Sequence, residues 1–197
     1  MSLQAYYRDP NAGDLSSPQD SGRPVSEEKL RALGLKWWTV EGSLDERMKT
    51  FKELSKSLGF EDGDYEHLYD LSKQTGSPYD LTMAPKDVLE SWGQDNLIPP
   101  PVLVLYISGK IYVDVKEPGT ESFIRLAVPP KYAIFFPGGT VWQAFSPESL
   151  RDLSLRGTDR TSIHLVGEEL DKHPARVDHV RSILDSDAVE AESKPSQ

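Results

Sequence analysis

The sequence predicts a mainly β fold, a sandwich or barrel of short strands with an N-terminal helical layer and a short C-terminal helix. Three observations predict it. Beyond Asn96 the apolar residues fall into short segments separated by Gly- and Pro-containing turns. Before Asn96 they recur at helical spacing behind capping residues. At 197 residues the chain is long enough for one domain with a real core and short for two.

Residues 10–25 are rich in Ser, Pro, Gly and Asp, which bury too little apolar surface to offset their ordering entropy, so an extended surface segment is expected. Ser26, followed by Glu27 and Glu28, opens a short helix at its positive dipole end, and Gly34 closes it. Ser43 with Glu46 forms a capping box. Behind it Leu44, Met48, Phe51, Leu54 and Leu58 line one helical face up to the stop at Gly59. Weaker helical patterns cover Tyr65 to Gln74 and Pro85 to Trp92, making 26–92 a helical layer.

The strand region spans 96–167. Val102 to Ile107, then Ser108-Gly109, then Ile111 to Val115 reads as a β-hairpin. Phe123 to Val128, Tyr132 to Phe136, Val141 to Phe145 and Ser162 to Val166 continue as strands. A helix is expected near Ala175 to Leu184. Residues 1–185 thus form a single domain, and 186–197 read as a disordered tail.

The formal charge of −10, with no local run of Lys or Arg, argues against nucleic acid and anionic membrane as partners. No cysteine is present, which removes disulfides, thiolate nucleophiles and Cys-based metal sites, and fits a reducing compartment. Residues 1–13 lack the apolar core of a signal peptide and no 18-residue apolar run occurs, so a cytoplasmic protein is expected. No feature specifies an oligomeric state.

Several stretches carry a family resemblance when taken together: Gln4-Ala5-Tyr6-Tyr7 with Asp9, Gly22-Arg23-Pro24-Val25, Ile111 to Val115, and Phe123-Ile124-Arg125-Leu126. Pro137-Gly138-Gly139, Val166-Gly167-Glu168 and His173-Pro174-Ala175-Arg176 follow in order. In sequence and spacing the chain resembles acireductone dioxygenase, a metal-dependent enzyme built on the cupin β-barrel. The resemblance implies a cupin-type barrel over 96–167. It also implies an iron or nickel site of three histidines and one glutamate. Counting from Val115 and Pro137, those four places are held here by Asn96, Ile98, Val102 and Trp142. Of these only the Asn96 amide oxygen can ligate, and weakly. The histidine inventory is His67, His164, His173 and His179, with no His-x-His pair. No metal or other cofactor is therefore expected.

Apolar replacements at the former ligand positions leave a hydrophobic cup, either filled by its own side chains or open to a hydrophobic small molecule. Strand alternation puts Val102, Val104 and Tyr106 on the inward face, making Tyr106 a candidate proton donor or a core tyrosine. His164, flanked by Ile163 and Leu165, is the histidine of the strand region and the candidate base, or else structural. Arg125, among apolar neighbours, needs a carboxylate from a substrate or from the protein, with Asp114 and Glu121 available. Trp142 offers a stacking wall, with Gln143 on the opposite face, and Asn96 can hydrogen-bond at the entrance beside Pro99-Pro100-Pro101.

The candidate binding set is thus Asn96, Ile98, Val102, Val104, Arg125 and Trp142, with Tyr106 and His164 as acid and base. The leading reading is a metal-independent cupin that binds or transforms a hydrophobic small molecule by proton transfer, as a lyase, isomerase or cyclase in specialised metabolism. A catalytically inactive binding or protein-interaction module is the second reading. A dioxygenase with a relocated metal, using His164 and carboxylates, is the third.

Overall fold

The computed structural model describes residues 3–60, 65–70, 92–146, 151–156 and 168–193. Eleven strands are found among them. They are β1 (Gln4–Arg8), β2 (Asp20–Pro24), β3 (Lys36–Thr39), β4 (Tyr65–Asp70), β5 (Asn96–Ile98), β6 (Val102–Ser108), β7 (Ile111–Lys116), β8 (Phe123–Val128), β9 (Tyr132–Phe136), β10 (Thr140–Phe145) and β11 (Arg151–Arg156). Four helices accompany them: α1 (Glu27–Ala32), α2 (Leu44–Ser57), α3 (Glu168–Lys172) and α4 (Pro174–Ser193). The strands form one sheet in the order β2-β1-β8-β7-β10-β5 and another in the order β3-β9-β6-β11-β4, with antiparallel neighbours throughout. The fold is mainly β, as expected. Among the described residues the two sheets remain separate, a cupin-type sandwich rather than a closed barrel.

The capped helices stand where local sequence puts them. The Ser26 side chain accepts from the Lys29 amide, and Ser43 and Glu46 complete the capping box of α2. Met48, Phe51, Leu54 and Leu58 pack on Leu103, Leu105, Ile107 and Ala133, so α2 covers the outer face of the five-stranded sheet.

Other expectations are corrected. The helical layer proposed for 26–92 contains strands β3 and β4. Tyr65 to Asp70 pairs residue by residue with β11 instead of coiling, because a short apolar run without caps takes whichever backbone partner the fold offers. The helical pattern from Pro85 to Trp92 lies outside the described residues except at Trp92. The strand expected over Ser162 to Val166 lies wholly outside them.

Nor do the segments of the expected hairpin pair with each other: β6 bonds to β9 and β11, while β7 bonds to β8 and β10. The Ser108–Lys110 turn therefore carries the chain from one sheet to the other. The segment 10–25 ends in a strand on β1, and α4 continues to Ser193, past the boundary at 185 where a disordered tail was expected.

Alternation divides each strand between two environments. Val102, Val104 and Tyr106 join Ile111, Val113, Val115, Ile124, Leu126, Ile134 and Phe136 in the core between the sheets. The opposite face of the six-stranded sheet carries a polar row: Tyr6 lies opposite Arg125, Arg125 opposite Asp114, and Asp114 opposite Gln143.

Arg125, fully buried, makes two charge-assisted bonds to Asp114, Nε to Oδ1 at 2.7 Å and Nη2 to Oδ2 at 2.9 Å. Its Nη1 donates to the carbonyls of Ser17 at 2.6 Å and Leu15 at 3.1 Å. Arg8 bridges Asp114 and Gln143, and the Gln143 amide donates onward to Asp95. The Tyr6 hydroxyl donates to the Pro18 carbonyl at 2.8 Å, and burial above all pushes its pKa up to about 12, keeping it a neutral donor. The chain preceding β2 is thereby tied down over the polar row.

The start of α4 is held against the turn between β9 and β10. Gly139 has φ +81°, and a side-chain carbon there would collide with the Ala175 carbonyl and with His179. His179, buried, lies 3.3 Å through Nε2 from the Leu33 carbonyl at the end of α1. Among the described residues, no helix is long and apolar enough to cross a membrane.

Asp114→Ala strands two arginines, and urea unfolding should register a loss of about 3–5 kcal/mol; an unchanged midpoint refutes the role of the polar row. Gly139→Ala forces a left-handed backbone onto a residue with Cβ and should lower stability by at least about 1–3 kcal/mol, read from the thermal midpoint. Burial lowers the His179 pKa from 6.5, with the Leu33 carbonyl opposing. The unfolded chain therefore binds this proton first, and the stabilising contribution is complete above pH 6.5 and lost as pH falls toward the folded-state pKa. His179→Gln should flatten that slope relative to wild type in pH-dependent unfolding.

Candidate functional site

Three strands bring together on one face the four positions that the resemblance singles out. β5 and β10 pair with Asn96 opposite Trp142 and Ile98 opposite Thr140, and β6 follows β5 after three prolines. Ile98 and Val102 belong to the core between the sheets, Trp142 packs against it, and Leu97, one residue out of phase, faces the other side with Val141 and Leu170. Asn96 shares the phase of Ile98 and is 4% exposed. Its Nδ2 donates to the Gln94 carbonyl at 2.6 Å. Val104 and Tyr106 continue the same face along β6.

The resulting wall is apolar and aromatic. Trp92 meets Trp142 edge to face with ring centroids 6.3 Å apart. The indole Nε1 of Trp142 is buried and has no hydrogen-bond partner among the described residues. An unsatisfied buried donor of this kind costs about 1–3 kcal/mol, which makes it a place where an acceptor would bind favourably.

A divalent iron or nickel ion does not fit these residues. Ile98 and Val102 offer carbon, Trp142 offers a donor instead of a lone pair, and the amide of Asn96 is a weak ligand even when it faces a cation. Nor do three or more His, Cys, Asp or Glu side chains gather elsewhere among the described residues.

Two candidates stand apart from this group. Arg125 lies on the opposite face of its sheet, its guanidinium committed to Asp114 and to carbonyls of the N-terminal segment, so it does not line the interior. The partner is one that the sequence already offered; its position in the strand register made the difference. His164 lies outside the described residues. Sequence reasoning also passed over Trp92, whose contact with Trp142 joins residues 50 positions apart and leaves no periodic signal.

No family model matches the chain. Acireductone dioxygenase 1 of Coprinopsis cinerea (strain Okayama-7 / 130 / ATCC MYA-4618 / FGSC 9003) is 26% identical over 92% of this chain and 98% of its own length. A protein of the same name from Physcomitrium patens is 23% identical over 92% of this chain and 90% of its own. Among solved structures, acireductone dioxygenase from Bacillus anthracis, with a cadmium ion in its active centre, superposes with a TM-score of 0.57. It is 12% identical and is covered over 98% of its length by 82% of this chain. In nearly full-length sequence similarity and in fold, the chain is thus similar to the acireductone dioxygenases.

Proposed function

We propose that this protein is a metal-independent relative of the acireductone dioxygenases that binds a hydrophobic small molecule between its sheets and acts on it by proton transfer, as a lyase, isomerase or cyclase. The observation that carries the reading is the buried, unpartnered indole N–H of Trp142, standing on the interior face at a position that the family resemblance gives to a metal ligand. A carbonyl, ether or hydroxyl oxygen on an otherwise apolar ligand satisfies that donor, and Trp92 and Trp142 enclose the ligand's carbon skeleton. Ile98, Val102 and Val104 supply the rest of the apolar wall.

Tyr106 is the proposed acid and His164 the proposed base. Such groups contribute on the order of 10² to 10⁴ in rate when correctly placed. Specialised metabolism is the natural setting for the reading, and a cytoplasmic location accords with the cysteine-free, acidic chain. An inactive relative retained for binding shares the ligand site and differs only in turnover.

Quenching of indole fluorescence by a panel of apolar ketones tests the site. Chelator-washed protein should bind as well as untreated protein, and Trp142→Phe should weaken ketone binding about 3- to 10-fold, the range of one neutral hydrogen bond. Binding that disappears with the chelator and returns with iron or nickel overturns metal independence. Once a converted ketone is found, Tyr106→Phe and His164→Ala should each depress turnover about 10²-fold or more; unchanged rates remove both from catalysis.

A further inference from the structure

A concave site lies away from the interior, where α4 passes the turn between β7 and β8. It is a groove of about 510 Å³, within the range of small-molecule sites. At one end lies Arg176, which is 3% exposed although it carries a full charge. Its Nε and Nη1 are buried without a hydrogen-bond partner among the described residues. A buried guanidinium without a carboxylate is costly, and protein interiors rarely leave one in that condition.

The helix makes the position still less favourable. Arg176 stands in the first turn of a 20-residue helix, at the positive end of its dipole, and no acidic residue occupies that turn. Asp171 raises the Arg176 pKa from a distance but does not pair with it, and burial outweighs it, so the net shift is downward. Both the side chain and the helix end therefore favour an anion at this place.

The rest of the groove describes that anion's body. Val177, Val180 and Leu184 line the groove along α4, and Leu184 is 54% exposed, a costly placement for a side chain with no apolar cover. From Arg176 to Leu184 the helix rises roughly 12 Å at 1.5 Å per residue, long enough to lie beside a medium-length alkyl chain. Lys116 also lines the groove, its ammonium held by Glu121 at 3.1 Å. The acids Glu121, Asp171 and Asp185 stand around it and oppose entry of an ion with more than one negative charge.

We propose that the groove between α4 and the β7–β8 turn binds a medium-chain alkyl carboxylate, its carboxylate on the Arg176 guanidinium and its chain along Val177, Val180 and Leu184. This site is separate from the ketone-binding interior and does not rest on that reading. A single carboxylate offers two acceptor oxygens to the planar guanidinium, a match that a neutral head group lacks.

Calorimetric titration of the full chain with octanoate tests the proposal, with butanoate, octanol and inorganic phosphate as comparisons. Octanoate should bind one saturable site, at least about tenfold tighter than octanol or phosphate, the span of a charge-assisted contact. Butanoate, lacking four methylenes, should bind more weakly than octanoate by about tenfold or more. Arg176→Met should weaken octanoate binding about tenfold or more without lowering the thermal midpoint of the free protein, since it removes an unpaired buried charge. Leu184→Asp, at an exposed position, keeps the test open should Arg176→Met misfold, and should weaken octanoate more than butanoate. Absence of saturable octanoate binding overturns the proposal, as does phosphate binding of equal strength or octanoate binding indifferent to both substitutions. Binding lost in Trp142→Phe but kept in Arg176→Met places the carboxylate in the interior and overturns it equally.

Discussion

Strand register in the six-stranded sheet is the constraint on which the rest of this structure depends, and the Arg125–Asp114 pair holds it. The two residues face each other across β7 and β8, with Tyr6 and Gln143 completing the row on β1 and β10. A slip of one residue in any of these strands would place a polar or charged group in the apolar core and an apolar side chain among the polar groups. Desolvating the pair is costly, yet Asp114 accepts from two arginines and Arg125 reaches three backbone carbonyls as well, so the charges are satisfied where they lie. The same bonds secure the N-terminal segment, whose composition alone argues for weak order.

The interior site follows from that register. Because Gln143 is held outward by Arg8 and Asp95, Trp142 is held inward, opposite Asn96 and beside Trp92. The determinants of the fold thus sit on one side of the sheet and the determinants of interior chemistry on the other. Interior residues can therefore vary without disturbing the polar row. Function has to be argued from the residues that face inward, here an apolar and aromatic wall that carries the unpartnered indole N–H of Trp142.

Helix α4 has two roles through adjacent residues. His179 faces the turn at Gly139 and the end of α1, while Val177, Val180 and Leu184 face the groove, with Arg176 buried at its end.

Local chemistry determined what the sequence alone could specify. The serine caps of α1 and α2 act within four residues, and alternation along β6 follows from a two-residue repeat, so Val102, Val104 and Tyr106 were legible as one face. Absence of cysteine and of any His-x-His pair is a property of composition. Pairing across long separations was left to tertiary structure. Tyr65 to Asp70 became a strand because β11 lay beside it, and the segments on either side of Gly109 entered different sheets because each had other partners. The same cause explains why Arg125 turned away from the interior, why Trp142 kept a buried donor unsatisfied, and why Arg176 is buried with Nε and Nη1 unpaired. A side chain's facing and its partners are set by residues tens of positions away, and no local pattern records them.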